Sequence, residues 1–139
     1  MSLYKQFKTE EKYEVEGINI EYGTGTNNKP ITFRIARAGG SNQKYLKLLE
    51  SRTKPYRRQL QNDSLDLKVA EKIFLEVFVD SVLLGWENVE DAAGVPLAFT
   101  RDNAIKVFTD LPDLYNDLRE QAAKSSLFRA EIKEVDAKN

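Results

Sequence analysis

Residues 64–84 read SLDLKVAEKIFLEVFVDSVLL, and this stretch decides the fold. Leu65, Val69, Ile73 and Val77 recur at helical spacing, with Phe74, Phe78 and Val82 as a second stripe and Leu75, Val79 and Leu83 as a third. The first half of such a helix is amphipathic. The second half is apolar nearly all round, which predicts a central helix covered by other elements. Asp63 or Ser64 starts it and Gly85 ends it. The most apolar part, residues 73–84, is too short for a membrane span and carries Glu76 and Asp80, so it reads as a buried helix.

Upstream, residues 13–36 read as a β-hairpin. Tyr13 and Val15 alternate with Glu14 and Glu16, and the phase shifts at Gly17, which suggests a bulge. Ile18, Ile20 and Tyr22 then alternate with polar residues up to a tip, GTGTNNKP (residues 23–30), rich in turn formers. The return strand places Ile31, Phe33 and Ile35 on one face and Thr32, Arg34 and Ala36 on the other. Two strands alone are marginal, so the hairpin must pack on something else. Gly39 and Gly40 break the chain, and Ser41 is positioned to cap a helix with Tyr45, Leu48 and Leu49 inward. Pro55 interrupts that helix, leaving a frayed continuation.

Downstream of the central helix, residues 86–100 read as an extended excursion around the turn DAAG (residues 91–94). Thr100 caps a short helix with Ala104, Ile105 and Phe108 inward. Pro112 suits the first turn of a last helix that buries Leu114 and Leu118. The predicted fold is α+β and predominantly helical, an N-terminal β-hairpin followed by about four α-helices around a central apolar helix. It forms a single domain over residues 13–128, with a flexible N-terminal arm at residues 1–12 and a charged C-terminal tail at residues 129–139.

The chain has 139 residues, enough for one domain with a real core. It contains no cysteine and no histidine. Disulfides, thiolate nucleophiles, Cys/His zinc sites and histidine acid–base chemistry are therefore excluded. The opening residues, MSLYKQFKTEEKYEVEG, contain no apolar core of signal-peptide length, which with the missing cysteines points to a cytoplasmic protein.

The net charge of −1 conceals an uneven distribution. Residues 29–58 hold nine Lys/Arg against one acid, whereas residues 63–117 hold 12 acids against four bases. That asymmetry bears on partners and association rather than on fold. Lys44, Lys47, Arg52, Lys54, Arg57 and Arg58, with Tyr45 and Tyr56 interleaved, form a patch able to meet a polyanion or an acidic partner. The acidic remainder would repel nucleic acid and no full recognition motif appears, so a solvated basic face, or one that docks an acidic partner, is the better reading.

Reaction chemistry finds little support. Glu87, Glu90 and Asp91 cluster after Trp86, yet a solvated acidic loop offers no asymmetry to drive two carboxyl pKa values apart. Their spacing does not match a calcium loop. The glycine-rich tip lacks the Gly-Lys-Ser/Thr ending of a phosphate cradle and precedes no helix. No nucleophile–base constellation can be drawn, so the expectation is a protein that is not an enzyme and carries no metal or cofactor.

The run WENVEDAAGVPLAFT (residues 86–100), then Asn103-Ala104 and LPDL (residues 111–114), resembles a pattern in tail assembly chaperones of long-tailed, siphovirus-type bacteriophages. RIARAGGSNQKYLKLLESRTKPYRR (residues 34–58) is similar to the upstream region of the same family. The resemblance implies a non-enzymatic protein encoded upstream of the tape measure protein. It would coat that long, helical, aggregation-prone client, help recruit tail tube protein, work in the host bacterial cytoplasm and be absent from the mature virion. It further implies, in many such phages, a frameshifted longer form of the protein itself, whose junction would fall at residues 131–139.

On this reading Trp86, Val89, Pro96, Leu97 and Phe99 fix a loop across the central helix. Glu87, Glu90 and Asp91 are left outward as an acidic rim, and Trp86, Glu87, Glu90, Asp91 and Phe99 are the candidate partner-binding residues. The charge map adds a head-to-tail homo-oligomer, the basic 44–58 patch of one copy on the acidic face of the next. The competing readings are a small nucleic-acid-binding regulator using residues 44–58 and a structural head–tail joining protein of the virion.

Overall fold

The computed structural model describes residues 2–129. Two short helices, α1 (Leu3–Phe7) and α2 (Glu11–Glu16), precede a hairpin of β1 (Ile18–Thr24) and β2 (Pro30–Ile35). Helix α3 (Gln43–Thr53) continues through a 3-10 turn (Lys54–Tyr56) into α4 (Arg57–Gln61). Helix α5 (Leu67–Ser81) leads directly into β3 (Leu83–Glu87), and α6 (Arg101–Asp110), α7 (Pro112–Ala123) and a 3-10 turn (Ser125–Phe128) follow. The protein is α+β and mainly helical, with one three-stranded antiparallel sheet in the order β1-β2-β3. Among the described residues no helix is long and apolar enough to cross a membrane.

Helix α5 is central, as its periodicity predicts, packing on α3, α6 and β3. Val77, Phe78, Val79 and Ser81 are buried, in the half that is apolar all round. Its ends differ from the sequence reading. The start is set by Asp66, whose carboxylate accepts from the N–H groups of Lys68 and Val69, and Asp63 sits at φ +53°, outside the helix. The end falls at Ser81, not Gly85, because Leu83–Glu87 is drawn into the sheet. Strand β2 would otherwise present an unpaired edge, and β3 covers it with the pairs Phe33↔Trp86 and Ile35↔Leu83. The excursion read from residue 86 onward thus begins as a third strand.

The hairpin starts at Ile18 rather than Tyr13. Residues 11–16 are helical, and Gly17 is the C-cap of α2 at φ +91° rather than a bulge. A Cβ there would stand 2.9 Å from the backbone oxygen of Ile35, so the abrupt change from helix to strand needs glycine. The return strand alternates as read at Phe33 and Ile35, which are buried, and Arg34, which is exposed, but Ala36, read onto the outer face with Arg34, lies past the end of β2 and is buried. The cap of α3 is Asn42, whose side chain accepts from the Tyr45 N–H. Ser41 is diverted, since its hydroxyl donates to buried Glu14 on α2.

The core is aromatic and continuous. Phe33 on the sheet lies 6.2 Å from Phe108 on α6, which lies 5.9 Å from Phe78 on α5, which lies 5.4 Å from Tyr115 on α7. Phe33, Phe108 and Phe128 are essentially fully buried, and each such ring contributes about 1.5–3 kcal/mol by leaving water. The tail at residues 130–139, with the proposed frameshift junction, lies outside the described residues.

Candidate functional site

Strands β1 and β2 present one apolar face, and α6 and α7 stand opposite it. Phe33 bridges the two at the bottom through Phe108. At one point the top is tied as well: the Tyr22 hydroxyl on β1 donates to Asp117 on α7. Burial and then this carboxylate push the phenol pKa well above its ordinary value, so Tyr22 stays a neutral donor. Elsewhere the two walls diverge and leave an open groove of about 830 Å³. Tyr22 and Ile31 line the sheet side, Val89 and Leu97 the loop side, and Val107, Leu111 and Leu114 the helix side. Glu90, Asp91 and Asp110 stand along its border with one cation, Lys106.

The loop wall is built by the segment after β3. Val89 and Leu97 are joined by a hydrogen bond from the Leu97 N–H to the Val89 carbonyl (2.9 Å), and Glu90 pairs with Pro96. The Asp91 carboxylate closes the turn by accepting from the N–H groups of Ala93 and Val95, each at 2.9 Å. Trp86 donates its indole N–H to the Leu97 carbonyl at 3.0 Å, and its ring meets Phe33 at 5.9 Å and Phe99 at 5.2 Å. The predicted aromatic clamp therefore forms, but it grips the sheet and the hairpin tip rather than crossing the central helix. Asn88, at φ +62°, donates to the Pro30 carbonyl at 2.7 Å and accepts from Asn27 at 3.2 Å. These contacts pull the loop over residues 26–30.

The acidic residues divide in consequence. Glu90 accepts from the hydroxyl and the N–H of Thr26 at the hairpin tip, and these hydrogen bonds hold its carboxyl below the usual range. It is not the freely outward acid expected from the sequence. Glu87, at the end of β3, is exposed, as is Asp91. Phe99 is 40% exposed because it covers Trp86 from the solvent side.

The basic patch also divides. Lys44 and Lys47 on α3, Lys54 in the 3-10 turn, and Arg57 and Arg58 on α4 are exposed. Arg52 instead reaches Asp80 at 3.2 Å and Glu76 at 3.8 Å on α5. Arg101 on α6 meets the same Asp80 at 2.7 Å. Tyr45 is half-buried against the core rather than standing free in the patch. Among the described residues no group of three acids could hold a metal ion.

Sequence reasoning read Glu90 and Asp91 as an outward acidic rim and did not foresee the groove they border. Tyr22 and Ile31 carried only a strand alternation, and Leu111 only the break before Pro112. A second feature was also missed. Leu3, Tyr4 and Phe7 lie on α1 with most of their surface in solvent.

The family described as YdaY prophage protein matches residues 40–139 of this chain, from just before α3 onward, leaving the hairpin and α1–α2 outside the match. Comparison with curated proteins and with solved structures gave no match.

Proposed function

Because the chain belongs to the YdaY prophage protein family, and so is phage-derived, we propose that it serves phage tail morphogenesis as a non-enzymatic assembly chaperone. Its client is the tape measure protein, and it helps recruit tail tube protein onto that client. It acts in the host bacterial cytoplasm and leaves before the virion is complete. The observation that carries the reading is the open apolar groove between the sheet and α6–α7. Exposed apolar grooves with polar rims are where amphipathic helices dock, through anchors at i, i+3, i+4 and i+7. A long helical protein offers such anchors repeatedly, so many copies can line one client.

Co-expression of this chain with the large helical protein encoded downstream of it, followed by affinity purification and a solubility assay, tests the reading. The expected result is a soluble client that co-purifies with several copies of this chain. An insoluble client with nothing bound, with the short chain and with any frameshifted form alike, overturns it.

A further inference from the structure

We propose that α1 of one copy docks in the groove of a second copy and occupies it until a client helix displaces it. This rests on the groove being the client site. Helix α1 carries its apolar residues without cover: Leu3 is 71% exposed, Tyr4 81% and Phe7 63%. They recur at i, i+1 and i+4 and so share one face of the helix, which Ser2 caps by accepting from the Lys5 N–H. The Arg129 guanidinium stands 5.4 Å from the Phe7 ring but leaves most of that ring in solvent. With five residues α1 offers fewer anchors than a longer client helix, which suits an occupant that a client displaces.

Charge assigns the occupant. Lys8 adjoins the apolar face of α1 and Lys5 lies on the helix's other side, and no acid falls within residues 1–8, so the arm is cationic. The groove border holds Glu90, Asp91 and Asp110 against Lys106, so a cationic helix is favoured there over an acidic one. The arm is not in its own groove, whose lining begins at Tyr22. A copy that lends its arm to one neighbour and accepts another's makes a heterologous contact, which yields rings or open chains. One such arm is far smaller than the roughly 800 Å² per partner of a standard interface. Association is therefore weak, concentration-dependent and easily reversed by a client. This contact is distinct from the head-to-tail contact drawn from the charge map between residues 44–58 and an acidic face, and it uses neither Lys44 nor Arg58.

Sedimentation velocity of the full chain over a concentration series tests the proposal. Two variants accompany it: Tyr4→Glu with Phe7→Glu in the arm, and Leu111→Glu on the groove wall, where the leucine is 53% exposed; far-UV circular dichroism checks that each is folded. The wild type is expected to gain mass with concentration, and each variant to weaken association by about tenfold or more. An equimolar mixture of the two variants is expected to recover dimers and nothing larger, because one intact arm meets one intact groove. A wild type that stays monomeric, variants that assemble like the wild type, or a mixture that stays monomeric overturns the proposal. Hydrogen-exchange protection of residues 3–7 in a monomer overturns it too, by placing the arm on its own chain. If the arm variant still captures the client, the groove reading survives the loss of the arm proposal. If both variants lose self-association while Leu111→Glu captures the client normally, the arm proposal survives and the groove reading fails.

Discussion

The indole N–H of Trp86, on β3, donates across 3.0 Å to the carbonyl of Leu97, eleven residues later on the far side of the loop. This bond, with the ring contacts to Phe33 and Phe99, holds the loop wall of the groove in place. Trp86→Phe keeps most of the ring contact and removes the donor, so it is expected to cost about 1 kcal/mol. Trp86→Ala removes the clamp as well and is expected to cost about 3 kcal/mol. Urea unfolding followed by far-UV circular dichroism measures both, since each variant loses the chain's only tryptophan.

Glu14 gives the fold an acid limit. Its carboxylate is 3% exposed, and burial by itself raises a carboxyl pKa. Hydrogen bonds from Arg37 at 2.5 Å, Thr9 at 3.1 Å and Ser41 at 3.2 Å, together with the Arg37 charge, outweigh that burial and leave the pKa below its ordinary value. A carboxyl that binds its proton less readily when folded stabilises the native state above its unfolded pKa of about 4.3. That stability is lost as pH falls through the lower, folded value. Thermal midpoints are therefore expected to be level near neutrality and to fall below about pH 4.5, with Glu14→Gln less stable at pH 7 and less sensitive to acid.

Asp80 joins three helices. It accepts from Arg101 of α6 and Arg52 of α3 while sitting on α5. Burial opposes its ionisation, the two arginines outweigh burial, and its pKa lies below the ordinary aspartate value. The arginines are 37% and 48% exposed, so solvent screens each pair; Arg52→Ala is expected to cost under about 1 kcal/mol and Arg101→Ala to have only a small effect. Asp80→Asn removes the partner of both and is expected to cost more than either single change. Chemical denaturation in low and high salt checks this, with the difference shrinking as salt rises.

The contrast between α5 and β3 shows what the sequence made legible. Three apolar stripes at helical spacing can be met only by a covered helix, so α5 was readable from residues 64–84 alone. Strand β3 was not, because Leu83 and Leu84 continue the same apolar pattern and only the open edge of β2 turns them into a strand. The cap of α5 was read as Asp63 or Ser64 rather than Asp66 for a related reason: all three are good caps by residue type, and spacing alone does not choose among them. The clamp on Trp86 was visible as a cluster of aromatics, but its anchor on the hairpin tip depends on Asn88 meeting Pro30, contacts 58 residues apart. The groove has no local signature at all, since its walls come from β1, β2, the 89–97 loop, α6 and α7. In the arm, Leu3, Tyr4 and Phe7 stand among polar and charged residues, and only α1 brings them to one face.

The central claim is that the groove holds the client, and the most direct measurement is client capture by the Leu111→Glu variant beside wild type. Leu111 lines the groove and is 53% exposed, so charge placed there spoils the apolar wall without unfolding the core. A matched surface control, Lys12→Glu on the exposed side of α2, leaves the groove untouched. Each is co-expressed with the tape measure protein, and the copies of chain per purified client are counted by quantitative mass spectrometry. The expected result is wild-type stoichiometry for Lys12→Glu and a loss of about tenfold or more for Leu111→Glu. Equal capture by wild type and Leu111→Glu would contradict the account.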